Sequence, residues 1–294
     1  MSIAVETIVA AWRPEYEVPV SDVGTIADVA RPLSRFERLT QNSLFRRGMV
    51  LVVLAVIWEA YATYLDNELL FPRFSDTMVA LWTQSWHGPL LSRTLFSLEL
   101  LAVGYSIGIA LAGILVVISV STKVGDDVLS ALTSMFNPLP AIALLPLALL
   151  WFGLGVQSII FVVIHSVLWA VALNTHVGFK SVSQTLKMAG QNFGLRGLGY
   201  IGGILLPAAF PSILGGLKIG WAFAWRTLIA AELVFGATSR QGGLGWFIFE
   251  NRNSLETSNV FAGLFTVIII GLLVESVVFR AIELRTIYRW GMQH

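Results

Sequence analysis

The chain has 294 residues, 56% of them hydrophobic and only 13% charged, with a formal net charge of +1 and no cysteine. Soluble domains carry about 25% charged residues, so this chain has too little polar surface to keep a water-soluble globule of its size wetted. The missing cysteines exclude disulfides, thiol nucleophiles and thiolate metal sites, and the near-neutral charge argues against a nucleic-acid partner. Residues 1–47 are polar and mixed in charge, with Pro14, Pro19 and Pro32 interrupting any helix. Their longest apolar piece, residues 8–12, follows Glu6 and is too short for a signal-peptide core. This stretch reads as a cytoplasmic tail.

Beyond it, apolar runs long enough to cross a ~30 Å hydrocarbon core alternate with short charged loops. Six spans are expected, at about residues 48–65, 95–120, 126–150, 156–178, 208–236 and 260–282. Between the first two, residues 75–86 have the length of a short surface helix. The third span carries Pro138, Pro140 and Pro146 and is expected to be kinked or broken, which a membrane tolerates when neighbours re-satisfy the freed carbonyls. With the N-terminus inside, thirteen Lys and Arg fall in cytoplasmic segments and four (Arg73, Arg93, Arg240, Arg252) on the other face. Cationic loops resist translocation, so both termini, including a short tail at 283–294, are expected in the cytoplasm.

The most polar connection between spans is 180–207. Within it residues 183–193 form a short amphipathic helix, stopped by Gly194, with Leu186, Ala189 and Phe193 on one face. Tied to spans at both ends, that face needs a cover: the protein's own helix ends, lipid headgroups, or a partner. Several ionisable residues fall in or near spans, where a charge costs roughly 2.5–3.5 kcal/mol on insertion scales. Glu59 and Glu275 have no evident mate, and Lys218 is placed to reach the inner surface. Arg226 and Glu232 are six residues apart and point to different faces of one helix, so they are not an intrahelical pair. A guanidinium grips an oxyanion bidentately, which makes Arg226 a candidate for a path taken by an anion; pairing with an acid such as Glu99 is the alternative. His165 and His176 read as packing or hydrogen-bonding groups. No GxxxxGK[ST] phosphate loop occurs, so any nucleotide-driven power must come from another chain.

Four stretches carry a resemblance. Gly194 followed after nine residues by Ile204, Leu206 and Pro207 is similar to the second half of the EAA signature of ABC importer permeases. The Glu-Ala-Ala triplet of that signature falls on Met188, Ala189 and Gly190, without the acid. Residues 136–155 resemble the P-x-x-A-x-x-P-L-x-x-x-W-F-G-x-G hallmark of the nitrate/sulfonate/taurine/bicarbonate branch, through Pro140, Ala143, Pro146, Leu147, Trp151, Phe152, Gly153 and Gly155. Residues 69–76 resemble its Leu-Pro-x-Pro segment, with Phe74 at the second proline, and 225–245 keep Trp225, Ala231-Glu232 and Gly243-Leu244-Gly245.

The resemblance implies an all-α integral membrane protein with the six-helix type I ABC importer permease fold, in a permease domain at 48–282. It implies a coupling helix at about 183–193 that seats on a cytoplasmic ATPase, through Leu186, Lys187, Met188, Ala189, Gly190, Gly194, Leu206 and Pro207. A translocation path for a small anion (a sulfonate such as taurine, nitrate or bicarbonate) would use Asn137, Pro140, Trp225, Arg226 and Glu232. The chain itself would hold no cofactor, no metal and no catalytic residue. ATP and Mg would sit on two partner ABC ATPase subunits, with an extracytoplasmic solute-binding protein and a second permease chain completing the assembly in a bacterial inner membrane. Two other classes are considered: an ion-coupled secondary transporter, and a membrane hydrolase using Ser166 or Ser158 with His165. Ser166 directly follows His165, so their side chains diverge by about 100° on a helix, which is poor geometry for catalysis.

Overall fold

The computed structural model describes residues 42–235 and 242–287. The tail at 1–41, Arg240 and the C-terminal residues from 288, including Arg289, lie outside the described residues. The chain falls into two compact units, Met1–Leu54 and Ala55–His294; the described part of the first is the beginning of helix α1, Ser43–Leu65. All further elements belong to the second unit, and no strand occurs among the described residues.

In chain order these are α2 (Phe74–Trp86), α3 (Leu90–Ser121), α4 (Lys123–Phe136), α5 (Leu145–Phe152), α6 (Val156–Ser181) and α7 (Gln184–Asn192). They are followed by α8 (Gly197–Tyr200), α9 (Leu206–Phe235), α10 (Leu244–Asn253), α11 (Thr257–Leu273) and α12 (Arg280–Arg285). Five stretches are long and apolar enough to cross a membrane: Phe45–Leu65, Leu90–Ser121, Val156–Ser181, Gly197–Val234 and Thr257–Arg285. The pair Lys123–Phe136 and Ala141–Phe152, bent by 88°, makes a sixth if counted as one span.

That bend follows from the sequence. Pro138 and Pro140 lack the N–H groups a helix needs, and Pro140 sits in extended conformation (φ −62°, ψ 120°). A single 3₁₀ turn, Ala141–Leu144, re-enters the helical path. Pro146 lies in the first turn of α5, where no intrahelical donor is required. At the other end of the span, the Thr122 hydroxyl caps α4 by accepting from Gly125 N at 2.9 Å.

The fifth span departs from expectation. It starts at Gly197 rather than near 208, and passes through a π turn at Ile201–Leu205 before α9. Pro207 looks like a helix start in the sequence, but the wider turn just before it absorbs the missing donor. A second π turn, Val274–Phe279, lies in the last span. Helix α10, between the last two spans, is an element the hydropathy pattern does not announce. It is held by Arg93, which pairs with Glu250 at 2.5 Å and lies 5.9 Å from the Phe247 ring.

Helix α6 is the centre of the bundle, packed between α3 and α9. Small residues permit this on both sides. Gly104 and Gly108 of α3 lie against Val163 and Val167, while Gly216 and Gly220 of α9 lie against Asn174 and Val171. In lipid, close backbone approach supplies the packing that the hydrophobic effect supplies in water. A Cβ at Gly108 would lie 2.7 Å from the Val167 Cβ, whereas one at Gly113 would meet nothing within 4 Å. Gly108→Leu is therefore expected to cost about 1–3 kcal/mol of stability by overpacking, seen as a lower thermal midpoint in detergent, with Gly113→Leu close to wild type.

The segment after α1 is fixed by aromatic packing. Trp58 contacts Phe71, Phe74, Phe261 and Phe265 with ring centroids 5.4–5.8 Å apart, and its indole N–H donates to Pro72 O at 2.9 Å. Phe74, standing where the related segment has proline, thus serves as an anchor. Glu59 also has a mate: Ser75 N and Ser75 Oγ donate to its carboxylate at 3.1 and 2.9 Å, capping the start of α2.

Candidate functional site

The proline break leaves a cavity of about 400 Å³ between the α4–α5 turn, α6 and α9. Three of the five residues expected on the path, Asn137, Pro140 and Arg226, line it. Arg226 is exposed and has no ion-pair partner among the described residues, so the alternative pairing with Glu99 is not formed. The wall opposite is aromatic. Phe136 and Trp169 stack at 5.0 Å with 14° between planes, and His165 meets both rings edge-on.

The other two residues lie elsewhere. Trp225 is buried against α11, its indole N–H donating to Val267 O at 3.2 Å. Glu232 is only 1% exposed and holds three elements together. Its carboxylate accepts from Ser97 Oγ of α3 at 2.6 and 2.8 Å and from Gly245 N at 2.8 Å. Leu244 N donates to the same Ser97 Oγ at 2.8 Å. The turn comes this close because Gly243 and Gly245 have no side chains; a Cβ on Gly245 would lie 2.5 Å from Ile229 O. Glu232 and the Gly-Leu-Gly segment are thus one latch between α3, α9 and α10.

Two further charged groups, Lys218 and Asp126, have long-range partners. Lys218 pairs with Glu283 of α12 rather than standing alone. His176 bonds Asp126 of α4, which also pairs with Lys180 at 3.0 Å. Ser166 Oγ lies 2.9 Å from Thr227 Oγ1 and 3.0 Å from Val162 O, and Ser158 Oγ donates to Gly153 O at 2.6 Å. Neither hydroxyl is held by His165, so no nucleophile–base pair is formed there. Among the described residues no cluster of three His, Asp or Glu side chains is placed to hold a metal ion.

At the connection between α6 and α9, Ser183 caps α7 by accepting from Leu186 N at 3.4 Å, and Phe193 ends it. Gly194 follows with φ +77°, a left-handed geometry that glycine adopts freely. Gly190 is buried, in contact distance of Ile204 and Tyr200, which seats α7 on the π turn. Leu186, Met188, Phe193 and Leu198 remain exposed around it, Phe193 by 85%. Lys187 Nζ reaches back to Lys180 O at 3.3 Å. Leu206 and Pro207 lie past the π turn, at the start of α9.

Sequence reasoning did not place Phe136, Trp169 or Thr227 at the cavity. The one available signal was the i, i+4 spacing of His165 and Trp169, which puts both on one face of α6.

Long apolar spans, a proline-broken third span and a short helix slung between the fourth and fifth spans define a multi-pass, all-helical membrane permease. The chain belongs to the family of binding-protein-dependent transport system inner membrane components, which it matches over residues 104–285. It is 32% identical over 234 residues to the taurine transport system permease protein of Escherichia coli, covering 78% of this chain and 83% of that one. Against the nitrate import permease protein of Synechocystis it is 31% identical over 251 residues, covering 79% and 86%. A putative ABC transporter permease protein of Methanocaldococcus jannaschii is 29% identical over 225 residues, covering 75% and 83%. Each of these relatives is named as a permease protein.

Proposed function

We propose that this chain is the membrane subunit of an ATP-driven importer and forms the path for a small anionic solute. The observation that carries this is α7: a short helix seated on the bundle through Gly190, with Met188 55% and Phe193 85% exposed. The sequence has no phosphate loop with which to bind nucleotide itself. Two cytoplasmic ABC ATPases, holding ATP and Mg, cover that surface; a second permease chain and an extracytoplasmic binding protein complete the assembly. The excess of Lys and Arg on the α7 side supports a bacterial inner-membrane location with both termini in the cytoplasm. When the ATPases close on ATP, the two α7 helices draw together and the bundles rock so that the path opens outward; hydrolysis reverses the motion. An anion as solute is supported by Arg226 beside the proline break, which has no ion-pair partner among the described residues, and by the taurine and nitrate named for two relatives.

A crosslinker attached at Phe193→Cys in intact cells tests the coupling surface. The expected product joins this chain to a subunit that hydrolyses ATP. Crosslinks to lipid or to this chain alone would remove the ATPase from α7.

A further inference from the structure

We infer that the cavity beside the proline break is itself selective, and that it takes an organic anion with one oxyanion head and a flat apolar body. This rests on the importer function proposed above and narrows the solute class.

Three buried polar atoms carry the inference. His165 Nδ1, His165 Nε2 and Trp169 Nε1 are shielded from solvent and have no hydrogen-bond partner among the described residues. Trp169 as a whole is 92% buried, being 8% exposed, and both residues line the cavity. An indole N–H is a donor only, and a neutral imidazole carries one donor and one acceptor in either tautomer. Buried polar groups are nearly always paired, so two donors without described acceptors, on residues that line one cavity, mark the place of a missing acceptor in its wall. Arg226, on the α9 wall, adds a fork of donors with a full positive charge, and the Asn137 amide adds another. Among the described residues no carboxylate lines the cavity. A cation is repelled there, and a neutral solute leaves Arg226 unpaired.

The body of the solute is specified by the rest of the wall. Phe136 and Trp169 present stacked rings, Phe223, Ile142 and the two prolines add apolar wall, and the Ser166 and Thr227 hydroxyls, bonded to each other, complete one side. Nitrate or bicarbonate is not much larger than the ~30 Å³ share of a liquid water molecule. Either would leave most of a cavity of about 400 Å³ to be filled by water against aromatic carbon. A planar ring bearing a sulfonate or carboxylate covers that carbon and supplies the acceptor.

The test is equilibrium binding to the full-length chain in lipid nanodiscs, with sodium benzenesulfonate, sodium nitrate and benzyl alcohol as probes. Benzenesulfonate is expected to bind at least about tenfold more tightly than either of the others. Arg226→Gln is expected to weaken benzenesulfonate about tenfold or more, the scale of a charge-assisted hydrogen bond. Trp169→Phe keeps the stacked ring and loses the donor; it is expected to weaken binding several-fold with an unchanged melting temperature in the absence of ligand. Nitrate binding as tightly as benzenesulfonate, no saturable benzenesulfonate binding, or unchanged binding in both variants would each overturn the site. The wild-type comparison among the three probes decides even where a variant fails to fold. Because no ATPase is present in the assay, its failure leaves the crosslinking result at Phe193 standing, and the reverse also holds.

Discussion

Replacing Gly190 by leucine is expected to abolish solute uptake while the chain still inserts and assembles. A Cβ at this position would lie 2.7 Å from Ile204 Cγ1 and 3.3 Å from Tyr200 Cε2, so a branched side chain must lift α7 from the π turn. The strain is local, because α7 is a nine-residue helix whose removal from its seat leaves the α3–α6–α9 packing untouched. Overpacking of this kind costs about 1–3 kcal/mol, comparable to what holds so short a helix in place. In the coupling role proposed for α7, a displaced helix still offers Met188 and Phe193 to an ATPase but no longer transmits its movement to α9. In proteoliposomes holding the complete importer, ATP hydrolysis is expected to persist near its basal rate while uptake falls to background. Gly190→Ala should fall between the two. Wild-type uptake in Gly190→Leu would show that α7 bears no force.

Glu232→Ala is expected to give a large loss of stability without touching the cavity. The substitution leaves the Ser97 hydroxyl and the Gly245 N–H buried without their acceptor. Each unsatisfied buried group costs about 1–3 kcal/mol, so a loss of about 3 kcal/mol is expected, read as a lower melting temperature of the purified chain. Ser97→Ala removes the donor to Glu232 and also the acceptor of Leu244 N. Because both residues act in one network, the double variant is expected to lose much less than the sum of the single losses. Additive losses would show that Glu232 and Ser97 stabilise independently. Benzenesulfonate binding to the folded fraction should stay as in wild type, which separates this latch from the solute cavity.

How much of this could be read from the sequence depended on how local the cause was. The break at Asn137–Pro140 was legible because proline acts on its own turn, and the end of α7 at Gly194 was legible for the same reason. The early start of the fifth span was not. Pro207 carries a start signal, and only the π turn before it explains why the helix begins as early as Gly197. Glu59 seemed without a mate because Ser75, sixteen residues on, lies across an aromatic cluster that no periodicity describes. Glu232 and Ser97 are 135 positions apart, beyond any spacing rule. Of the residues expected on the path, Arg226, Asn137 and Pro140 line one cavity. Trp169 and Phe136 were missed because in a span apolar all round, hydropathy does not say which face borders a cavity.

The central position of α6 has a consequence for how freely each span can change. In its most apolar window 56% of residues are buried against protein, compared with 11% in Thr257–Arg285. A helix that faces mainly lipid need only stay oily, so leucine, isoleucine, valine and phenylalanine can trade places there at small cost. A helix gripped on both sides must keep its shape, methyl by methyl. Randomised libraries should therefore accept almost any apolar letter at the exposed positions of the last span, such as Ile268, Leu272 and Val277, and along α6 only those of matching volume.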